Sequence, residues 1–421
     1  MLTQAKSHQR KILLLCSLGG LLEFYDFIIS ALLAGYIATT FFPMNANING
    51  LLAAFATFSV SYFARPLGGI IFGHFGDIYG RKHAFTVSVL MMAIGTFCIG
   101  LIPNYNSIGI YAPLLLILCK MLQGFSIGGE IPGAITYISE FFPYRKAFTI
   151  GIVFCFLISG ITMGYLVLAG LKYFYTQESI VNWAWRIPFF IGGVFGIIAF
   201  YLRKKLIEIP EFQPYLNPKQ PFPLIEVIKN HWQVSILGAL LTGFGAIVII
   251  SLFTFLPVYL TKILNYNPHH LMWIIALFVF ISALSCILFG WISDRVNNRV
   301  SLLILLVIGT GIFAFPIFYT YIHHFIYYPF VLFVSALLVG LCWGNIPAIF
   351  AEFFPHQVRY SGIGLSYNLG FGIIGGLAPL ILLSSIKWSG TSIAPAYVLV
   401  LSSIIILLAL LIFKHAIKPK K

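Results

Sequence analysis

Charge is what this chain has least of. Among 421 residues only 9% are Asp, Glu, Lys or Arg, and just 11 are acidic. A soluble domain carries roughly 25% charged residues, so an ordinary water-soluble fold is excluded. Hydrophobic residues make up 60% of the chain and mean hydropathy is +0.97, which leaves a membrane protein. Alternating segments are missing too. The apolar runs are continuous over about 20 residues, the length of a spanning helix, and not the roughly 10-residue alternating pattern of a barrel.

Cysteine is scarce and unpaired. Cys16, Cys98, Cys119, Cys155, Cys286 and Cys342 lie singly inside apolar runs and read as small buried hydrophobes, with no disulfide or metal spacing. His269–His270 and His323–His324 are neighbours whose side chains diverge, and no carboxylate or thiol joins them, so no metal is expected. There is no nucleophile–base constellation, Gly-rich phosphate loop or dinucleotide fingerprint, so neither an enzyme nor a cofactor is expected. The first apolar run outlasts a signal-peptide core, so no cleaved leader is expected.

What charge there is falls in a pattern. The net charge of +14 is carried by Lys6, Arg10 and Lys11 before the first run, then by every second turn. Those turns hold Arg81–Lys82, Arg145–Lys146, Arg203–Lys204–Lys205, Arg295, Arg299 and Arg359, and Lys414, Lys418, Lys420 and Lys421 close the chain. The turns between hold only Lys172, Arg186, Lys262 and Lys387. This is the positive-inside pattern of a multi-pass protein of the cell inner membrane with both termini cytoplasmic, and it argues against nucleic acid as a partner.

Twelve spans are predicted, at about 12–40, 50–75, 84–103, 111–138, 148–172, 187–206, 234–261, 271–293, 301–322, 328–350, 361–386 and 394–414. A polar stretch, 203–233, holds Glu208, Glu211, Glu226 and prolines at 210, 214, 218, 221 and 223. It reads as a cytoplasmic linker between a bundle at 1–202 and another at 234–421. Two repeats support the division. Gly73 and Asp77 recur as Gly290 and Asp294, 217 positions on, and E-F-F-P at Glu140 recurs at Glu352, 212 positions on. The expected fold is all-α and integral to the membrane, with two pseudo-symmetric six-helix bundles and a substrate site between them near the midplane.

Gly73-x-x-x-Asp77-x-x-Gly80-Arg81-Lys82 resembles the signature between helices 2 and 3 of the major facilitator superfamily. Further stretches resemble its metabolite–proton symporters, the relatives of proline/betaine, α-ketoglutarate, shikimate and citrate carriers. They are L-E-F-Y-D-F from Leu22, A-R-P-L-G-G from Ala64, Q-G-F-S-I-G-G-E from Gln123, W-R-I-P-F from Trp185 and V-R-Y-S-G from Val358. The resemblance implies proton-coupled import of a small organic anion or zwitterion by alternating access, by a protein expected to work as a monomer. Ile78 departs from the signature, where a cation is usual, as do Asn297 and Asn298, where Gly and Arg are usual. The departures weaken the expected charged latch. Osmosensing relatives carry a C-terminal coiled coil that this chain lacks, so an osmosensor role is not expected.

Three acids, Glu23, Asp26 and Glu130, fall inside spans of the first half, and ionisable groups there default to function. At 1.5 Å per residue, Glu23, Arg65 and Glu130 reach similar depths, about 15 Å from their helix ends. They are candidates for proton coupling, with Arg65 beside a carboxylate and free to hold a substrate anion. A static buried ion pair is the alternative. Gln123, Lys120, Asn345, Tyr367 and Asn368 are candidate substrate contacts, with outward snorkelling an alternative for Lys120 and helix packing for the asparagines. Thr254, Trp343 and Ser366 complete the polar supply of the second half, and Arg186 reads as an interfacial anchor. Asp77, Arg81, Lys82, Glu140, Arg145, Asp294, Arg299, Glu352 and Arg359 are gating candidates, with Asp77 facing a helix N-terminus of the other half. The rivals are a proton-coupled exporter of the same fold, disfavoured because Ser159–Gly160–Ile161 lacks the expected Gly-Pro pair, and a non-transporting membrane sensor.

Overall fold

The computed structural model describes residues 2–42, 47–208, 222–296, 298–324 and 327–415, but not the side chains of 2–8, 47–59, 268–270 and 272. The side chains of Lys6, His269 and His270, together with Asn297, Glu211, prolines 210–221, Lys418, Lys420 and Lys421, lie outside the described residues.

Within them the chain is helical. The long elements are α1 (Leu2–Leu32), α2 (Asn47–Tyr79), α3 (Arg81–Leu101), α4 (Tyr111–Phe141), α5 (Lys146–Phe174) and α6 (Ile187–Arg203). They continue as α7 (Trp232–Ile249), α8 (Pro268–Ser293), α9 (Arg299–Ile322), α10 (Tyr328–Phe353), α11 (Arg359–Tyr367) and α12 (Ala394–Ile412). Lipid offers no partner for backbone N–H and C=O, so a sequence this apolar satisfies them within helices. α7 runs on through π-helical Ile250–Thr254 and Tyr259–Ile263, and α11 through π-helical Asn368–Gly375 into Gly376–Ser389. Single π turns of this kind collect at functional sites.

Eleven helical runs among the described residues are long and apolar enough to cross a membrane, against twelve predicted spans. The run not among them is α2. It is 33 residues long, but part of it falls outside the described side chains, and the rest carries Arg65, His74 and Asp77. The stretch read as a linker is partly helical as well. Pro223–Asn230 forms a short helix that packs on α2, α7 and α11.

Helices of the first half pack on one another, α1 along α5 and α6, α2 along α4, and α3 along α4 and α6. In the second half α8 packs along α10, α9 along α10 and α12, and α7 along α11. The halves meet where α5 lies along α8 and α2 along α11. Small residues set these approaches: a Cβ on Gly128 of α4 would stand 2.1 Å from the Arg65 carbonyl oxygen, so only glycine lets α4 come this close to α2. That contact brings the Arg65 backbone against α4. Leu67, Phe63, Leu408 and Leu411, by contrast, stay exposed, as lipid-facing side chains do.

Candidate functional site

One end of the molecule carries the turns α2–α3 and α8–α9, and we call it the basic face. Its two repeated aspartates do the same thing on opposite sides of the seam. Asp77, at the end of α2, accepts the Tyr360 and Ser361 N–H groups at 3.2 and 2.8 Å, in the first turn of α11. Asp294, after α8, accepts the Ala147 and Phe148 N–H groups at 3.0 and 2.8 Å, in the first turn of α5. The repeated glycines allow it: a Cβ on Gly73 would stand 2.8 Å from Ser361 Cα, and one on Gly290 2.4 Å from the Ala147 oxygen. Each aspartate therefore caps a helix N-terminus of the other half, a charge-on-dipole contact worth about 1–2 kcal/mol.

Arginines lace the same face. Arg81 pairs with Asp77, reaches Glu140 at 3.3 Å and donates to the His356 carbonyl oxygen at 2.6 Å across the seam. Arg359 reaches Glu140 from the second half at 3.1 Å, and Arg299 pairs with both Asp294 and Glu352. The other cations among the gating candidates stand apart. Lys82 contributes its backbone N–H to Glu208, and Arg145 is exposed, with no ion pair among the described residues. Ile78 packs against the core where the signature has a cation. Replacing Asp77 or Asp294 with Asn is expected to weaken closure by about 1–2 kcal/mol, a roughly 5- to 30-fold shift toward an open basic face. Labelling of a cysteine introduced between α5 and α8, with reagent added to that face, measures the shift. An effect from only one of the two would show that the two aspartates are not equivalent.

Further in, two acids of the first half pair with an arginine, and a third, Asp26, lies near Lys120. Glu23 of α1 pairs with Arg65 of α2 at 3.2 Å, both within a few per cent of full burial. Arg65 lies at the seam: its guanidinium carbon is 5.1 Å from the Phe371 ring centroid of the second half and 5.7 Å from that of Tyr62. Tyr367 stacks on Phe371 at 5.6 Å, Trp343 stands 5.9 Å from Phe371, and Phe154 stacks on Trp343 at 5.3 Å. Glu23 Oε2, Arg65 Nε, Trp343 Nε1 and the Tyr367 hydroxyl are buried with no hydrogen-bond partner among the described residues. Buried polar groups ordinarily find partners, so this unsatisfied set beside an aromatic wall makes the place a candidate site.

Asp26, one turn along α1 from Glu23, faces Lys120, Thr96 and Gln123. Lys120 donates to Ser30 and Gln123 donates to Thr96 at 2.9 Å. Lys120 thus points into the bundle and is 3% exposed, which overturns the snorkelling alternative: Asp26 and Ser30 offer its ammonium a better solvent than the interface does. Glu130 has a cation of its own. Its partner is Arg203 and not Arg65, with Nη1 donating to Oε2 at 2.8 Å and Nη2 to Oε1, while Ser88 donates to Oε2 at 2.8 Å. Glu130, two turns along α4 from Gln123, meets the last residue of α6. Arg203, read from sequence as a linker cation, is fully buried and also donates to the Phe85 and Cys16 carbonyl oxygens.

The asparagines divide. Asn345 accepts from Ser293 at 2.7 Å and donates to the Arg299 oxygen at 3.2 Å, so its amide ties α10 to α8 and α9 and the packing alternative holds. Asn368 donates to the Gly128 oxygen at 2.8 Å across the seam and leaves its Oδ1 without a partner among the described residues. Ser366 and Thr254 turn their hydroxyls to their own helices. Arg186 lies over Trp185 and donates to the Ile102 oxygen at 3.0 Å, at the end of α3. Sequence reasoning did not single out Tyr62, Phe154 or Phe371, because aromatic residues in a chain with 41 phenylalanines carry no positional signal.

Comparisons with known proteins bear on the family and the fold. The family model described as Major Facilitator Superfamily matches residues 16–365 and 251–421. The chain is 34% identical over 417 residues to a proline/betaine transporter of Salmonella typhimurium, covering 94% of this chain and 81% of that one. It is 32% identical to a glycine betaine/proline/ectoine/pipecolic acid transporter of Dickeya dadantii, covering 98% and 85%. Among solved structures, a proton:xylose symporter of the same superfamily overlays with a TM-score of 0.79 at 15% identity, covering 99% of this chain and 97% of that one. With the family model, these relatives and the all-helical fold in agreement, the chain belongs to the major facilitator superfamily of secondary transporters.

Proposed function

We propose that this protein is a proton-coupled importer of a small zwitterion or organic anion, working by alternating access in the cell inner membrane. On this reading α2 is a twelfth span, completing bundles that run from the N-terminus through Arg203 and from about 234 onward. The basic face and both termini are then cytoplasmic, and the protein works as a monomer. The observation that carries the proposal is the buried Glu23–Arg65 pair beneath Phe371, Tyr367 and Trp343 of the opposite half.

The chemistry follows from the pair. A substrate carboxylate binds the Arg65 fork in place of Glu23, since guanidinium holds carboxylates by paired, charge-assisted hydrogen bonds. Glu23, left without its cation in an apolar site, takes up a proton. Substrate and proton therefore bind together, and by linkage each raises the affinity for the other. An ammonium end of the substrate has the ring faces of Trp343, Tyr367 and Phe371 to rest on, the environment that attracts alkylated ammonium groups. Proline and glycine betaine, named for the relatives, have the carboxylate and cation that this arrangement suits. Asp26, with Lys120, Thr96 and Gln123, is the second candidate for the proton.

Glu23→Gln in proteoliposomes tests the coupling. Counterflow of labelled substrate between equal pools is expected to persist, while accumulation driven by a pH gradient falls to the equilibrium ratio. Undiminished accumulation in that variant removes Glu23 from the coupling step, and the same experiment on Asp26→Asn then decides the alternative.

A further inference from the structure

The turns that begin α3 and α9 are copies of one motif, yet their helix N-termini are satisfied differently. Asn298 caps α9 with its own side chain, Oδ1 accepting the Val300 N–H at 3.0 Å. The N-cap position of α3 is held by Gly80, which has no side chain to offer and takes a φ of +112°. The first-turn amides of α3 go instead to Glu208, five residues beyond the end of α6: Arg81 N–H donates to Oε1 at 3.1 Å and Lys82 N–H to Oε2 at 3.2 Å. A Cβ on Gly80 would stand 2.4 Å from Glu208 Oε2, so the missing side chain keeps the place of that carboxylate clear. An anion here gains both the hydrogen bonds and the helix dipole.

Glu208 is delivered there by a fixed path. The bidentate Arg203–Glu130 pair ends α6 in the core of the first half. Leu206 is buried with its N–H on the Arg203 oxygen at 2.9 Å, and the Tyr137 hydroxyl of α4 donates to the Ile207 oxygen. The same linker returns as the helix Pro223–Asn230 against α2, α7 and α11, with Phe222 5.1 Å from the His74 ring. It therefore touches the gate on both sides of the seam. Arg81, whose amide Glu208 holds, is also the residue whose side chain joins Asp77, Glu140 and the His356 oxygen.

We propose that Glu208 is a positioning residue of the basic-face gate: by capping α3 in place of Gly80 it aims Arg81 across the seam, so the linker governs the first-half copy of the latch. The second copy, capped by its own Asn298, is independent of the linker. This rests on the alternating-access reading above, and its test needs neither substrate nor proton gradient. Amide protons in the first turn of a helix lack intrahelical partners and exchange freely unless something caps them. In the full-length protein, hydrogen exchange is expected to show the Arg81 and Lys82 amides protected, and Glu208→Gln is expected to raise their exchange at least tenfold. The amides of Arg299 and Val300 should not change.

Cysteine at Gly372, where a Cβ meets nothing closer than 3.6 Å, reports opening of the seam. Its labelling by impermeant maleimide from the basic face should rise several-fold in Glu208→Gln and stay near the parent rate in Glu208→Asp. Unprotected Arg81 and Lys82 amides in the unmodified protein would overturn the proposal even if the variant fails to fold. So would a Glu208→Gln variant that exchanges and labels at the parent rates. Normal exchange shifts with no transport of any probe would leave Glu208 as assigned and sink the importer reading instead.

Discussion

Arg65→Lys is expected to raise the substrate concentration for half-maximal counterflow by about 100-fold while leaving the protein folded. Lysine keeps the charge beside Glu23 but replaces a planar fork with a single ammonium, and hydrogen bonds to charged groups are worth about 1.5–3 kcal/mol each. Losing one of two such bonds at the carboxylate accounts for a change of that size. Arg65→Gln should go further and abolish measurable binding, because the carboxylate then enters an apolar site with no cation. Scintillation proximity binding on purified protein reads both variants directly. A Lys variant with parent affinity would show that the substrate anion is held elsewhere, with Lys120 the next candidate.

Glu130→Gln is expected to destabilise the protein and to do so before it affects coupling. Arg203 would remain buried beneath Phe85 with its carboxylate gone, and removing one partner of a buried pair costs about 3–5 kcal/mol. Loss of monodisperse protein in detergent and a lowered melting temperature are the readouts. The paired replacement Glu130→Leu with Arg203→Met removes both charges together and should recover most of that loss, since apolar substitutes for a buried pair are often neutral. Uphill transport by this double variant would confirm a structural pair. A folded double variant that binds substrate but cannot accumulate it would return Glu130 to the list of proton carriers.

The contrast between these two pairs explains what could be read from the sequence. Glu23, Asp26, Arg65, Lys120 and Glu130 announce themselves as charges in apolar helices, because lipid makes such residues expensive enough to be noticed. Their pairing is a different matter. Depth along a helix follows from 1.5 Å per residue, but which face of α4 turns toward α2 depends on glycine contacts such as Gly128 on the Arg65 oxygen. Arg203 sits among Lys204 and Lys205, so composition places it with the linker, and only the turn after α6 separates it from them.

The aspartate contacts across the seam were more legible. Asp77 and Asp294 are marked by the duplicated Gly-x-x-x-Asp, and one geometry serves both copies. Glu208 was not legible at all. Its role follows from the absence of a side chain at Gly80 and from 127 residues of intervening chain, neither of which a local motif records.

Proton uptake on substrate binding tests the central claim most directly. Glycine betaine and proline are added in turn to weakly buffered, detergent-solubilised protein with a pH indicator, and protons consumed are counted against substrate bound. Release of Glu23 from Arg65 by the substrate carboxylate predicts about one proton taken up per substrate in the parent protein and none in Glu23→Gln, with binding retained. Saturable binding with no proton uptake in the parent would contradict the exchange of partners at Arg65.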